Sequence, residues 1–185
     1  NEINCFIQQK KSDYIEIIKN HENLPMVSNV DQFINMMFEE AKKMGINDRD
    51  ELRKLSVSKQ RELQTKAARK IAEFNHDVVI IDTHAFISTK EGFYPGLPYH
   101  VLEELKPENF ISVSARPEEI YNRRMKDTTR NRDIVSIDSI KKELAVQDAM
   151  LSSCAVLTGS PMKSILNTEG KVEEAAEEVI NAIGF

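Results

Sequence analysis

The sequence has few of the residues and patterns that mark disulfide-rich, membrane-spanning or metal-cage proteins. Among 185 residues there are two cysteines, Cys5 and Cys154, which lie far apart and outside any metal-type spacing. This usage predicts buried, reduced thiols in a reducing cytoplasm. No apolar run approaches the roughly 20 residues that span a bilayer, and no signal-peptide pattern is present. We therefore expect a cytoplasmic protein without membrane association.

An excess of positive charge is also missing. The 25 basic residues face 30 acidic ones, for a formal net charge of -5, which argues against a general nucleic-acid binder but not against a local basic pocket. His84 and His100 have no second ligand at metal spacing, which argues against a zinc site. A chain of this length usually forms a single domain, and it is long enough to bury most of its core without disulfides.

The most informative stretch is Val78–His84, with the sequence VVIIDTH. Four consecutive β-branched apolar residues predict a strand that is buried on both faces, as in a parallel sheet. Asp82 then lies at the carboxyl edge, where open α/β sheets bind ligands and where a carboxylate can hold a hydrated Mg²⁺ beside phosphates. The alternative is an aspartate that ends the strand and caps a turn.

Strands and helices alternate along the rest of the chain, which predicts an α/β fold, a parallel sheet flanked by helices. Strands are predicted at Glu2–Ile7, Asn109–Ser114 and Met162–Asn167, with a short one at Met26–Val27. Ala155–Ser160 is predicted to be a strand, or the entry of a strand into a turn of small residues. Helices are predicted from Asp31 to Gly45, Ser58 to Phe74, Tyr99 to Leu105, Pro117 into the basic segment, Ser139 to about Ser153, and Lys171 to Ile183.

The loop after the first strand is short and basic. Its sequence, QQKKS over Gln8–Ser12, leads into a helix for which Ser12 is a good N-cap. Strand, basic loop and helix N-terminus form a layout that can cradle phosphates, and Lys11 with Ser12 reproduces the end of the Walker A pattern. The glycines that let several backbone N–H groups reach the phosphates are absent.

Glycine and proline are concentrated between Gly92 and Pro98, which predicts a rigid loop. A glycine without Cβ lets a planar ligand lie against the backbone, and the alternative is a structural turn. Arg53 lies just after a loop and between two predicted helices, where a small substrate could bind.

A basic segment follows the helix that Pro117 opens. Arg123–Asp133 (RRMKDTTRNRD) can bind phosphate oxygens through arginine forks and close over a transferring phosphoryl group. The alternatives are a salt-bridged exposed helix and an RNA-binding surface. The RNA interpretation is weaker because the segment has no interleaved aromatic residues.

Five motifs in order resemble those of the archaeal adenylate kinase family over about four-fifths of the chain. They are DRDELRKL (Asp48–Leu55), IDTH (Ile81–His84), GFYPGLP (Gly92–Pro98), TRNRD (Thr129–Asp133) and LTGS (Leu157–Ser160). The resemblance implies a P-loop nucleoside monophosphate kinase fold with a short lid, the reaction ATP + AMP ⇌ 2 ADP with Mg²⁺, and a homotrimer. It also implies one domain over 1–185, with an AMP-binding region at about 31–75 and a lid at about 124–138.

The resemblance also implies roles for individual residues. For the metal these are Asp82 and Ser12; for AMP, Arg53, Thr83, His84 and Gly96; for ATP, Lys11, Ser12, Thr158, Gly159 and Ser160; and for catalysis, Arg123, Arg130, Arg132 and Lys11. Phosphoryl transfer depends on positioning and charge rather than on a covalent nucleophile, so these roles are physically consistent. Because the glycine-rich loop is not recognisable, the alternative function is a non-catalytic nucleotide-binding paralogue that acts as a regulatory or assembly partner.

Overall fold

The chain folds as alternating strands and helices. The structure, a computed structural model, describes residues 2–8, 17–18, 20–21, 27–30, 33–52, 55–75, 77–89, 92–126 and 136–185. The strands are β1 (Glu2–Gln8), β2 (Val27–Val30), β3 (Val78–Thr83), β4 (Phe86–Thr89), β5 (Gly92–Pro95), β6 (Asn109–Ser114) and β7 (Met162–Leu166). The helices are α1 (Phe33–Lys42), α2 (Arg49–Leu52), α3 (Val57–Ala72), α4 (Tyr99–Leu105), α5 (Pro117–Lys126), α6 (Ile137–Thr158) and α7 (Val172–Ala182).

Five strands form a parallel sheet in the order β2-β3-β1-β6-β7. All six residues of β3 are buried, which confirms the strand predicted from its β-branched run. A strand buried on both faces needs no polar alternation, because helices cover the sheet on either side. The strands predicted in the first segment, at Asn109–Ser114 and after Pro161 are also confirmed.

The two faces of β3 enter two different hydrophobic clusters. Val79 and Ile81 point into the larger cluster, where α3, α4 and α6 contribute Ala67, Ala68, Ile71, Val101, Leu102, Leu105 and Leu151. Val78 and Ile80 point into the opposite cluster, which contains Ile18, Ala175, Ala176, Val179 and Ile180. The fold is therefore a three-layer α/β architecture. Each fully buried Val or Ile contributes about 1.5–3 kcal/mol of burial free energy.

Helix α6 is longer than the sequence predicted. Its N-terminus is capped by Ser136, whose Oγ accepts a backbone hydrogen bond, and it ends at Gly159, which adopts φ 72°. The prediction of a strand over Ala155–Ser160 was therefore wrong. A short apolar run fits either a helix or a strand, and here Val156 and Leu157 are 82% and 60% exposed on the last turn of the helix.

Across the described ranges, no helix is long and apolar enough to cross a membrane.

Candidate functional site

The carboxyl end of β3 carries the residues that the sequence singled out. Asp82 and Thr83 are its last two residues, with only 4% and 8% of their surface exposed, and the exposed His84 follows directly. The sequence predicts Asp82 at this edge, and that position is confirmed. A buried carboxylate is retained when it interacts with other groups, and Asp82 does so here.

The order of the neighbouring strands produces a topological switch point in the sheet. From β1 the chain crosses to β2 at one end of the sheet, whereas from β6 it continues to β7 at the other end. The connections diverge between β1 and β6, and ligands bind at such switch points in open α/β sheets. Gln8 is the last residue of β1 and pairs with Val113 of β6. The predicted phosphate-binding residues, Lys11 and Ser12, follow Gln8 but lie outside the described residues.

Gly96 brings the GLP turn into contact with the end of β3. Its N–H donates a hydrogen bond to the carbonyl oxygen of Ala85 over 2.8 Å. A Cβ at Gly96 would overlap the carbonyl oxygen of His84 and lie 2.8 Å from its carbonyl carbon. Only glycine allows this backbone approach, so three predicted AMP residues, Thr83, His84 and Gly96, lie together. The fourth, Arg53, lies outside the described residues.

The segment between His84 and Gly96 differs from the predicted rigid loop. It contains an antiparallel pair, β4 and β5, in which Phe86 lies opposite Pro95 and Ile87 opposite Tyr94. Phe86 and Phe93 meet edge to face, with ring centroids 4.9 Å apart. The glycine and proline content predicted rigidity without revealing the cross-strand pairing that supplies it.

Arg123 reaches the carboxyl edge from α5. Its Nη2 donates a hydrogen bond to the carbonyl oxygen of Asn167 over 2.8 Å, just past the end of β7. The neighbouring Arg124 forms an ion pair of 3.0 Å with Glu143 on α6. The described part of the basic segment thus has carboxylate and carbonyl partners, whereas Arg130 and Arg132 lie outside the described residues.

The LTGS motif lies at the opposite edge of the sheet from Asp82, so the structure does not bring it together with the other predicted nucleotide residues that it describes. Thr158, Gly159 and Ser160 end α6 just before β7 begins, and the Ser160 hydroxyl donates to the carbonyl oxygen of Pro107, which precedes β6. About 17 Å of strand length separates this edge from the carboxyl edge. The motif closes a helix and borders a groove of ≈ 690 Å³ beside α4. The resemblance assigned these residues to ATP without indicating at which edge of the sheet they lie.

The core contains a polar pair that was not predicted from the sequence. Gln147 on α6 donates a hydrogen bond of 2.9 Å to the hydroxyl of Ser112 on β6, and both residues are buried. A signal for it was available, because Gln147 follows Ile140 by seven residues and precedes Leu151 by four. It therefore lies on the apolar stripe of α6. Buried polar side chains of this kind are held by each other.

Helix α3 of the predicted AMP-binding region contacts α4. Arg69 of α3 forms an ion pair of 2.7 Å with Glu104, and His100 Nε2 lies 3.2 Å from Gln64 Oε1. Burial, and then the positive charge of Arg61, lower the pKa of the His100 imidazole below its ordinary value, while Glu103 opposes the shift. These contacts join α3 to α4 at the margin of the larger hydrophobic cluster.

Comparison with solved structures defines the class of fold. The shikimate kinase of Aquifex aeolicus has a TM-score of 0.52 at 18% identity, over 98% of this chain and 94% of that chain. The shikimate kinase of Bacteroides thetaiotaomicron has a TM-score of 0.55 at 13% identity, over 99% and 97%. A family model described as an AAA domain matches residues 11–141. The chain has the α/β fold of P-loop kinases.

Similarity to individual proteins then gives the family. The adenylate kinase of Methanococcus vannielii is 38% identical over 179 residues, which cover 96% of this chain and 90% of that protein. The adenylate kinase of Methanocaldococcus jannaschii is 40% identical over 153 residues, or 82% and 80%. The chain belongs to the adenylate kinase family, a family of nucleoside monophosphate kinases. The first match also extends beyond the four-fifths of the chain that carry the recognisable motifs.

Proposed function

We propose that this protein is an adenylate kinase that transfers the terminal phosphoryl group of ATP to AMP, with Mg²⁺, to give two ADP. The observation that carries the proposal is the buried Asp82 at the carboxyl end of β3, beside a switch point of the sheet, in a chain whose relatives are named adenylate kinases. The fold alone would not select this reaction, because kinases of other substrates share it.

The residues at the carboxyl edge fit Mg²⁺. This ion is commonly held by one or two carboxylates together with substrate phosphates and water, rather than by a protein cage. Asp82 offers one such carboxylate, and the described ranges contain no group of three or more His, Cys, Asp and Glu that could form a cage. We assign Asp82, with Ser12, to the ion. When bound, Mg²⁺ would neutralise charge on the phosphates.

AMP is proposed to bind on the side of β3 that meets the GLP turn. There Gly96 and His84 bring two backbone segments together, and Thr83 supplies a hydroxyl at the strand end. Arg53, from the AMP-binding region at about 31–75, is assigned to the AMP phosphate. The contact of α3 with α4 holds this region against the core.

The transferred phosphoryl group is proposed to meet a set of cations: Arg123 from α5, Arg130 and Arg132 from the predicted lid, and Lys11 from the loop after β1. Arg123 uses one N–H on the Asn167 carbonyl, and a guanidinium has five donors, so others are left for phosphate oxygens. Such groups stabilise the charge of the transition state and need no covalent intermediate.

A coupled assay of ADP formation from ATP and AMP tests the proposal. We expect Mg²⁺-dependent turnover in the wild type. Asp82→Asn should lower kcat by about 10²- to 10³-fold, the range for a lost transition-state charge interaction. Asp77→Asn is the matched control, because Asp77 is exposed at the other end of the same strand and should leave kcat unchanged. Equal activity of Asp82→Asn and wild type would contradict the assignment.

The alternative function is a non-catalytic nucleotide-binding paralogue that serves as a regulatory or assembly partner. The sequence QQKKS favours it, because without glycines the loop offers fewer backbone N–H groups to the β- and γ-phosphates. Calorimetric binding of AMP with no ADP formed above background would select this alternative. Turnover that requires both nucleotides would exclude it.

Assembly as a homotrimer and a cytoplasmic location are part of the same proposal. The trimer is proposed from the family resemblance. Val156 and Leu157, which are exposed side by side at the end of α6, are candidate positions for a subunit contact.

A further inference from the structure

Helix α6 carries two polar side chains one turn apart that connect it to different elements. Gln147 donates to the buried Ser112 hydroxyl on β6 over 2.9 Å. Glu143, four residues earlier and so on the same face, accepts from Arg124 on α5 over 3.0 Å. Both groups of the Arg124–Glu143 pair are about three-quarters buried, at 25% and 27% side-chain exposure. Helix α6 therefore ties α5 to the centre of the sheet.

A second pair of hydrogen bonds closes the circuit on the other side of α5. Arg123 donates to the Asn167 carbonyl over 2.8 Å, and the Asn167 N–H donates to the Ser114 carbonyl over 2.7 Å. Ser114 is the last residue of β6, two residues beyond Ser112. The polar contacts thus run from β6 through α6 and α5 to the end of β7 and back to β6. Arg123 is the member of this circuit that brings a positive charge to the carboxyl edge, where Ser114 and Asn167 also lie.

We propose that Glu143 and Gln147 are positioning residues that act through Arg123. This inference rests on the proposed function, in which Arg123 contacts the phosphates. Glu143 holds Arg124 on the side of α5 that faces α6, so the adjacent Arg123 is directed toward Asn167. Gln147 fixes the distance of α6 from β6, and with it the place of Glu143.

Apolar packing alone is enough to join the two helices. Ile120 of α5 and Ile140 of α6 are buried together with Ala115, and Tyr121 and Leu144 pack against them. Loss of the Glu143 carboxylate should therefore leave α5 and α6 packed. Its effect should appear in the orientation of Arg123, and a misplacement of about 1 Å can reduce catalysis by up to ~10²-fold.

A double-mutant cycle on kcat tests the coupling. We expect Arg123→Ala to lower kcat by about 10²-fold and Glu143→Ala by about tenfold, with KM for AMP unchanged. The double variant should be no slower than Arg123→Ala alone, because without the Arg123 guanidinium there is no group for Glu143 to position. Glu143→Gln keeps an acceptor for Arg124 and should recover most of the activity. Glu178→Ala is the control, since it removes an exposed carboxylate that pairs with Lys163 on another face.

A second set of variants, at Gln147 and Ser112, separates a positioning role from a contribution to stability alone. Gln147→Leu leaves the buried Ser112 hydroxyl without its partner and should lower Tm, whereas Gln147→Leu combined with Ser112→Ala removes both polar groups and should restore it. We expect the restored protein to keep a reduced kcat. Recovery of kcat together with Tm would mean that the pair is only structural and would overturn its positioning role.

Additive losses for Arg123→Ala and Glu143→Ala would overturn the role of Glu143. If the wild type forms no ADP, the proposed function fails, and the same cycle is measured as calorimetric affinity for ATP with Mg²⁺. Non-additive losses of affinity would then still support positioning through Arg123. Additive losses, or no losses, would refute it independently of turnover.

Discussion

Substitution of Gly96 by alanine tests the contact that joins the GLP turn to the end of β3. The added Cβ would overlap the His84 carbonyl oxygen and lie 2.8 Å from its carbonyl carbon, and these backbone atoms cannot rotate away. The hydrogen bond from Gly96 N–H to the Ala85 carbonyl, 2.8 Å long, holds the two segments at this separation. Either this bond lengthens or the turn moves away from His84.

The expected change in the free energy of unfolding of Gly96→Ala combines two opposing contributions. Forcing a methyl group into a packed site costs about 1–3 kcal/mol, and the immobile backbone neighbours favour the upper part of that range. Alanine recovers about 0.4–1 kcal/mol by lowering the entropy of the unfolded chain. A net loss of about 2 kcal/mol corresponds to a Tm decrease of about 4–8 °C for a domain of this size. Because the turn borders the proposed AMP site, KM for AMP should rise while KM for ATP changes little.

Gly170→Ala is the matched control. Gly170 adopts φ 79° with open space around its Cβ position, so the same substitution there introduces backbone strain without a clash. We expect a loss of about 1 kcal/mol and unchanged KM values for both nucleotides. Thermal unfolding by circular dichroism and steady-state kinetics measure both variants. A Gly96→Ala protein with a Tm within 2 °C of the wild type, roughly the effect of 1 kcal/mol at most, would refute the close approach.

Two further predictions concern pH and assembly. Because burial and Arg61 lower the pKa of folded His100, the unfolded chain binds the proton first, so stability should fall as pH decreases from about 6.5 until the folded imidazole also titrates. His100→Gln should flatten the Tm profile between pH 7.5 and 5.5, and an unchanged slope would contradict the linkage. Light scattering should give three times the chain mass, and Leu157→Glu at an exposed apolar position should reduce it; a monomeric wild type would contradict the trimer.

The sequence was informative wherever local pattern decides structure. The β-branched run Val78–Ile81 can be buried on both faces only in a covered sheet, and that is where β3 lies. Asp82 follows the run, so its position at the carboxyl edge depends on strand direction alone. Helix α4 has the predicted bounds, Tyr99–Leu105, because Pro98 and Pro107 flank it.

Predictions failed where an element's environment, not its composition, decides. Ala155–Thr158 has strand-like residues, yet they extend α6, because Leu151 one turn earlier is buried in the core and Gly159 ends the helix with a left-handed conformation. The LTGS motif therefore closes α6 at the opposite edge of the sheet from Asp82. No local pattern encodes which edge a turn occupies, because that depends on how many times the chain has crossed the sheet.

By itself, the sequence determined the alternation of strands and helices over most of the chain, the buried centre of the sheet and the residue type at its carboxyl edge, since these follow from periodicity and side-chain shape. Only the tertiary structure decided which distant groups meet: Gly96 with His84, Gln147 with Ser112, and Arg123 with Asn167. Gly96 and His84 are 12 positions apart in the sequence, and Arg123 and Asn167 are 44 positions apart. Their geometry is fixed by the packing of whole elements, which no single stretch of sequence specifies.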